Sequence, residues 1–460
     1  MSTKVLLVLI CALFLFTRLY KIAEIPVSVY WDEASIGYNA YAISIDLKDE
    51  WGKFLPIHFR AFGEFKLPVY IYSVVLFVKL FGLNAFSVRF PAVLFSLGVV
   101  IFTFFLAKKL TGKEKIGLWA SFFMTISPWF FIFSRTGYEV TAGLMFYLLA
   151  ILLFLNLKKG NRFFLFSIIS FILSAYSYNS FRIVAPLTII SLFLFNIDNL
   201  RQLVTNGKVY LLISLIVVIA SVIPIYRLYV YDAGGVRFQA IGGVSKLQII
   251  KNYLSHFNPQ FLFVQGDTNL RSQQKGFGQL FFPDLVLLPL GLIYLLKSKV
   301  KYRWLIFLLI IFGPAPAAIT KESPHALRSI SMVPFISMAS ATGVFYLVQL
   351  LRNKTIGLII IGVYLVLFSN YFMSFLSIYP QASAKDWQYG YKQIFTGSLD
   401  QFKQNNRIVI SDKDAQPYIF SLFYLQYNPA KFRSEVVRNS VDKWGFSTVK
   451  SFGNFEFVNR

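Results

Sequence analysis

Long apolar runs, separated by short polar and basic segments, dominate the chain. A helix needs about 20 mostly apolar residues to cross the hydrocarbon core of a bilayer. Runs of that order predict helices near 5–20, 87–107, 116–134, 140–156, 163–179, 183–197, 209–226, 281–296, 304–320, 329–351 and 355–378. The first, Val5 to Tyr20, follows Lys4 in the manner of a signal-peptide core. No small-x-small cleavage site follows it, only Arg18, Leu19, Tyr20 and Lys21, so it reads as a retained helix. A further stretch, 67–82, is short, carries Lys79 and ends at the breaker Gly82-Leu83-Asn84.

Charge decides how that stretch is counted. If 67–82 lies in the interface without crossing, the basic loops Lys108–Lys115, Lys158–Arg162, Arg201–Lys208, Lys297–Arg303 and Arg352–Lys354 all fall on one side. Short Lys/Arg-rich loops favour the cytoplasmic side. The expectation is therefore eleven spans, N-terminus inside and C-terminus outside, in a plasma (cytoplasmic) membrane. The outer face then holds a long first loop (21–86), the segment Ser134–Glu139, the Tyr178–Arg182 turn, the loop 227–280, the turn Thr320–Arg328 and the tail.

In the tail, 380–460, the pattern changes. The run Arg407–Ser411 is strand-like, 417–426 is helix-like, and alternating segments follow near 445–458. The expected fold is thus an all-α polytopic membrane domain over 1–379, with interfacial helices in its first external loop, and a small extracytoplasmic α/β domain over 380–460.

Composition agrees: 56% hydrophobic and 14% charged residues with 51 Phe, and a mean hydropathy of +0.60, exclude a disordered chain or a cytosolic enzyme. The net charge of +24 sits mainly in the basic loops, so no nucleic-acid partner is expected. Cys11 is the single cysteine and lies in an apolar run, and His58, His256 and His325 are far apart in sequence, so neither disulfides nor a His-based metal motif is predicted.

The residues that could carry chemistry fall on the outer face. Trp31-Asp32-Glu33 opens the first loop. Asp32 could accept a proton from a hydroxyl, or it could cap a helix running from Glu33 to Ile45. Lys66 and Arg89 stand at headgroup height, as phosphate ligands or as interfacial cations that snorkel. Arg135 and Glu139 either satisfy each other at i, i+4 or place a second carboxylate opposite Asp32. Tyr178 and Arg182 mark a polar aromatic turn, and Arg237 and Gly266-Asp267-Thr268-Asn269-Leu270-Arg271 lie in the 227–280 loop, where the latter run reads as a turn ahead of a sugar or phosphate contact. Pro324-His325-Ala326-Leu327-Arg328 puts two further cationic side chains outside, and arginine suits phosphate.

Trp31-Asp32-Glu33, Lys66-Leu67-Pro68, Ser87-Val88-Arg89-Phe90-Pro91, Ser127-Pro128-Trp129 with Ser134-Arg135 and Glu139, Tyr178 with Arg182 and Pro186, and Pro324-His325 with Arg328 together resemble the GT-C superfamily. These are glycosyltransferases that use polyprenyl-phosphate sugars, and the chain looks closest to the bacterial branch related to protein O-mannosyltransferases and lipid A aminoarabinose transferases. Asn258-Pro259 through Arg271 and Trp387–Tyr391 look like a bacterial subgroup. The resemblance implies an inverting transfer from a polyprenyl-monophosphate sugar to an acceptor that is a protein, a lipid or a polysaccharide. It makes Asp32 the catalytic acid of the first loop, Glu33 its neighbour and Glu139 the second external acid. Lys66 and Arg89, with His325 and Arg328, become donor-phosphate ligands, and Trp31, Arg135, Tyr178 and Arg182 substrate contacts. Leu67 stands where the family more often has proline. A divalent cation between Asp32 and Glu139 is compatible with this set, although two carboxylates without a third ligand make a thin site. The alternatives from other classes are a transporter or flippase, which would favour paired repeats and midplane charges, and a silent scaffold that keeps the fold.

Overall fold

A computed structural model describes the chain except residues 1, 63, 232–234, 236–240, 399–401, 403–406, 414, 441–446 and 459–460; Gly63 and Arg237 therefore lie outside the described residues. Every one of the eleven apolar runs carries a helix. The first helix, α1, spans Thr3–Leu19; α2 (Trp31–Asp46) and α3 (Pro68–Phe81) belong to the first loop, with the two-residue strands β1 (Phe59–Arg60) and β2 (Phe65–Lys66) paired between them. Then come α4 (Ala85–Thr111), α5 (Glu114–Ile126), α6 (Pro128–Phe131) and α7 (Val140–Phe154). At 14 residues and 1.5 Å per residue, α3 reaches only about 21 Å, short of a crossing.

By length and apolarity, four helices among the described residues can cross a bilayer, or up to six if each of two bent pairs is one span. The multi-span helical character expected from the sequence is therefore present, while the count of eleven is not reached by this measure among the described residues. Pro128 opens a new helix after α5, giving a bend of 62°, and the run 304–320 is broken between Phe312 and Ala315, where Gly313-Pro314 interrupts the backbone hydrogen bonding. The helices Asp284–Lys297 and Val333–Leu350 cross closely at two glycines: a Cβ on Gly291 would strike the Ala339 carbonyl, and one on Gly343 the Leu287 carbonyl. Small residues that let backbones touch are how helices bind each other in lipid, where burial of apolar area gives no drive.

Three of the five basic loops converge. Lys109 lies within electrostatic reach of Lys158, Lys159 and Lys301, Lys108 pairs with Glu114 at 2.6 Å, and Thr3 donates to that same glutamate. All this is at the C-terminal end of α4, a helix of 27 residues and about 40 Å. Arg89 and the acids of the first loop are at its other end.

The tail ends in a mixed sheet of order β3-β6-β5-β4, formed by Ile408–Ser411 (β3), Val437–Arg438 (β4), Val449–Phe452 (β5) and Phe455–Val458 (β6); β3 and β6 are parallel and the other pairs antiparallel. Helices Tyr389–Gly397, Pro417–Tyr424 and Pro429–Glu435 accompany it. The sheet does not keep a core to itself. Phe423, Phe432, Phe452 and Phe457 are buried in one apolar cluster with Val29, Ile36, Tyr38, Phe59 and Tyr70, so the tail packs on the first loop.

Candidate active site and its relatives

The N-terminus of α2 organises the site. Tyr30 is the N-cap, and Glu33 reaches back to accept its N–H at Oε2 (3.3 Å), the glutamate half of a capping box, which fixes where the first turn begins. The turn places Asp32 and Glu33 in different surroundings.

Glu33 points into the protein. Its oxygens take the Arg89 fork, Nε to Oε1 and Nη2 to Oε2, both at 3.0 Å, and Oε1 also accepts the Gly137 N–H at 2.7 Å. A side chain on Gly137 would press on Glu33 and Val88. The remaining donors of Arg89 go to the carbonyls of Ile22, Pro26 and Ser28. Both residues are buried. The structure thus assigns Arg89 and Glu33 to holding the 22–28 segment, α2, α4 and the 137 turn together, and leaves the Arg89 guanidinium no face for a donor phosphate. An arginine fork matched to a carboxylate is a bonded unit with its donors spent.

Asp32 points the other way. Its Oδ1 accepts from Lys66 Nζ at 2.7 Å, and the same ammonium reaches Glu64 Oε1 at 3.2 Å. The lysine side chain is 3% exposed and that of Asp32 24%, so the acid lines open space with a buried cation behind it. Burial would depress the Lys66 ammonium, but Asp32, Glu64 and Glu139 outweigh it and hold its pKa raised. Lys66 therefore stays charged. Its charge acts on both Asp32 and Glu139, the two acids that a divalent cation would share; among the described residues no three His, Cys, Asp or Glu side chains converge as a metal site. Tyr138 stands beside this group; burial, then the charges of Asp32 and Glu33, push its phenol up, so it remains protonated. Tyr178 is within electrostatic reach of Tyr138.

Other expected site residues have different work. Arg135 donates to the carbonyls of Thr17, Tyr20 and Ile25, a cation closing the C-terminal end of α1. Arg182 donates from Nε to the Ala175 carbonyl, with Tyr229 at the limit of reach. Arg328 is spent on Thr320 and Glu322. His325 donates its backbone N–H to His256 Nε2 at 3.1 Å, so His256 carries its proton on Nδ1, against the Asn252 carbonyl. Burial pushes the His256 imidazole down to about 4, so it is neutral there. Trp31 donates its backbone N–H to Gln388 Oε1 at 3.1 Å.

Sequence pattern favours a plain turn over a sugar or phosphate contact for the run that ends at Arg271. Its guanidinium sits 3.7 Å above the ring centre of Tyr30, two residues from Asp32. The run before it forms two successive side-chain turns, Asp267 Oδ1 accepting the Asn269 N–H and Asn269 Oδ1 accepting the Arg271 N–H. The Asp-x-Asn-x-Arg spacing signals that turn but not its neighbour.

Residues 66–226 match the family described as dolichyl-phosphate-mannose-protein mannosyltransferase. That match spans 161 of the 460 residues, so the chain is similar to this family of membrane glycosyltransferases over about a third of its length. No curated protein sequence gives a significant match. Among solved structures the chain is similar to ArnT from Cupriavidus metallidurans bound to undecaprenyl phosphate, with a TM-score of 0.58 and 10% identity over 91% of this chain and 84% of that one. It is also similar to the oligosaccharyltransferase AglB from Archaeoglobus fulgidus in complex with an inhibitory peptide and a dolichol-phosphate, with a TM-score of 0.52 and 12% identity over 92% of this chain and 63% of that one. At such identities the likeness is one of fold.

Proposed function

We propose that this protein is an inverting glycosyltransferase that moves a sugar from a polyprenyl-monophosphate donor to an acceptor hydroxyl on the outer face of the cytoplasmic membrane. The observation that carries the reading is the partly exposed carboxylate of Asp32 bonded to the buried ammonium of Lys66, in a chain whose structural relatives were captured with undecaprenyl phosphate and dolichol-phosphate. The acceptor O–H gives its proton to Asp32 as the oxygen attacks the anomeric carbon, the bond from that carbon to the phosphate oxygen breaks, and polyprenyl phosphate leaves. A carboxylate that accepts a proton releases its hold on a bonded ammonium, so the Lys66 charge becomes available as charge grows on the phosphate. Preorganised cations at the developing charge are a large part of catalysis. Outward orientation is supported by the gathering of basic loops at the far end of α4.

The test uses purified protein and radiolabelled polyprenyl-phosphate sugars, scored for release of free polyprenyl phosphate. Asp32→Asn is expected to lower the rate by about 10²–10⁴-fold, the range for a general base. Equal turnover in the folded variant overturns the assignment.

A further inference from the structure

Beside the α2 N-terminus lies a cavity of about 770 Å³, between the membrane part and the tail. That volume is in the range of pockets for drug-sized ligands. Tyr30, Arg271, Lys385, Asp386, Gln388 and Tyr389 line it. Its wall is continuous with the candidate active site, because Tyr30 caps the helix that carries Asp32 and the Trp31 N–H is bonded to Gln388.

Three features restrict what fits. The lining mixes tyrosine rings with amide, carboxylate and guanidinium groups, which suits a hydroxyl-bearing ring better than a prenyl or acyl chain, since an apolar chain would leave those polar groups without partners. Arg271 is fixed by the Tyr30 ring and by its Nε bond to Asn269 Oδ1 at 3.2 Å, while its two terminal nitrogens have no hydrogen-bond partner among the described residues. A fixed, half-buried guanidinium with a vacant fork fits a carboxylate or phosphate. Finally, Arg271 and Lys385 outnumber Asp386, so the lining is cationic.

We propose that this cavity is the acceptor subsite and that it takes a sugar bearing an anionic group, carboxylate or phosphate, with Arg271 gripping the anion and Tyr389 lying against the ring. This rests on the glycosyltransferase reading and names its acceptor as an acidic glycan. The acceptor hydroxyl is then presented to Asp32 from the tail side, while the donor phosphate meets Lys66 from the membrane side.

The experiment measures binding of maltotriose, trigalacturonate and maltotriose phosphate to the full-length protein in lipid nanodiscs, with polyprenyl-phosphate release assayed in parallel. The acidic probes are expected to bind at least tenfold more tightly than maltotriose. Whichever of the two binds more tightly tells carboxylate from phosphate. Arg271→Gln and Tyr389→Ala are each expected to weaken acidic-probe binding tenfold or more, whereas Arg407→Gln, at an exposed pair with Glu456 on the sheet, is expected to leave it unchanged. The proposal is overturned if no acidic probe binds, if the Arg271 and Tyr389 variants bind as the parent does, or if polyprenyl phosphate displaces the probes. Asp32-dependent donor turnover without probe binding sinks the acceptor proposal alone. Probe binding without any donor turnover sinks the transferase reading instead.

Discussion

Arg89 separates a structural from a substrate-binding role by magnitude. Its five donors go to two Glu33 oxygens and three carbonyls, at 2.5–3.0 Å, and it is 0% exposed. Glu33→Gln keeps an acceptor for the Gly137 N–H but leaves the guanidinium as a buried charge without its counter-ion. Removing one partner of a buried pair costs about 3–5 kcal/mol. At about 2 °C per kcal/mol, the figure for larger chains, the apparent Tm in detergent should fall by on the order of 6–10 °C. Arg89→Met should cost a similar amount. The double variant, with neither charge left buried alone, should lose less than the sum of the singles, with a coupling of about 1–3 kcal/mol. Thermal melts of the four proteins, read by intrinsic fluorescence, give the cycle. Donor KM should be unchanged in whichever variant remains folded at the assay temperature. A Tm within 1–2 °C of the parent together with a raised donor KM would refute the structural reading and return Arg89 to the phosphate.

Two further outcomes follow from burial elsewhere. Burial pushes the Glu50 carboxyl up to about 7 from 4.5, against the pull of Arg438, with Tyr418 donating to its Oε1; since the folded state holds this proton more tightly, stability is full below about pH 4.5 and declines as pH rises through about 7. Glu50→Gln should flatten that slope in melts run from pH 5 to 8, and an unaltered slope would exclude Glu50 as its source. Gly291→Ala forces a methyl against the Ala339 carbonyl, so it should lower the apparent Tm by the equivalent of about 1–3 kcal/mol, the range for overpacking. A neutral result would mean that the two helices separate without cost.

The sequence alone determined the helices, because apolar run length is a local property and a bilayer leaves a backbone few other ways to satisfy its hydrogen bonds. It also marked Asp32 and Lys66, since an acid at a helix start and a lysine before an apolar stretch are local features. Strands of the tail were visible in Arg407–Ser411 and the alternating segments near 445–458, but neither their mixed order nor the strand Val437–Arg438 was. What pattern could not decide was which charges are spent on structure. Arg89, Arg135 and Arg328 look alike as interfacial cations until their partners are known, and those partners lie as far away in sequence as Glu33 and Thr17. Glu33 and Asp32 are adjacent, yet one is buried in an ion pair and the other lines open space, because successive helix positions turn by about 100°. Tertiary structure alone set Arg271 over Tyr30 and Gln388 on Trp31. Contacts made across hundreds of residues leave no local trace, and the cavity they enclose exists only because the tail folds onto the first loop.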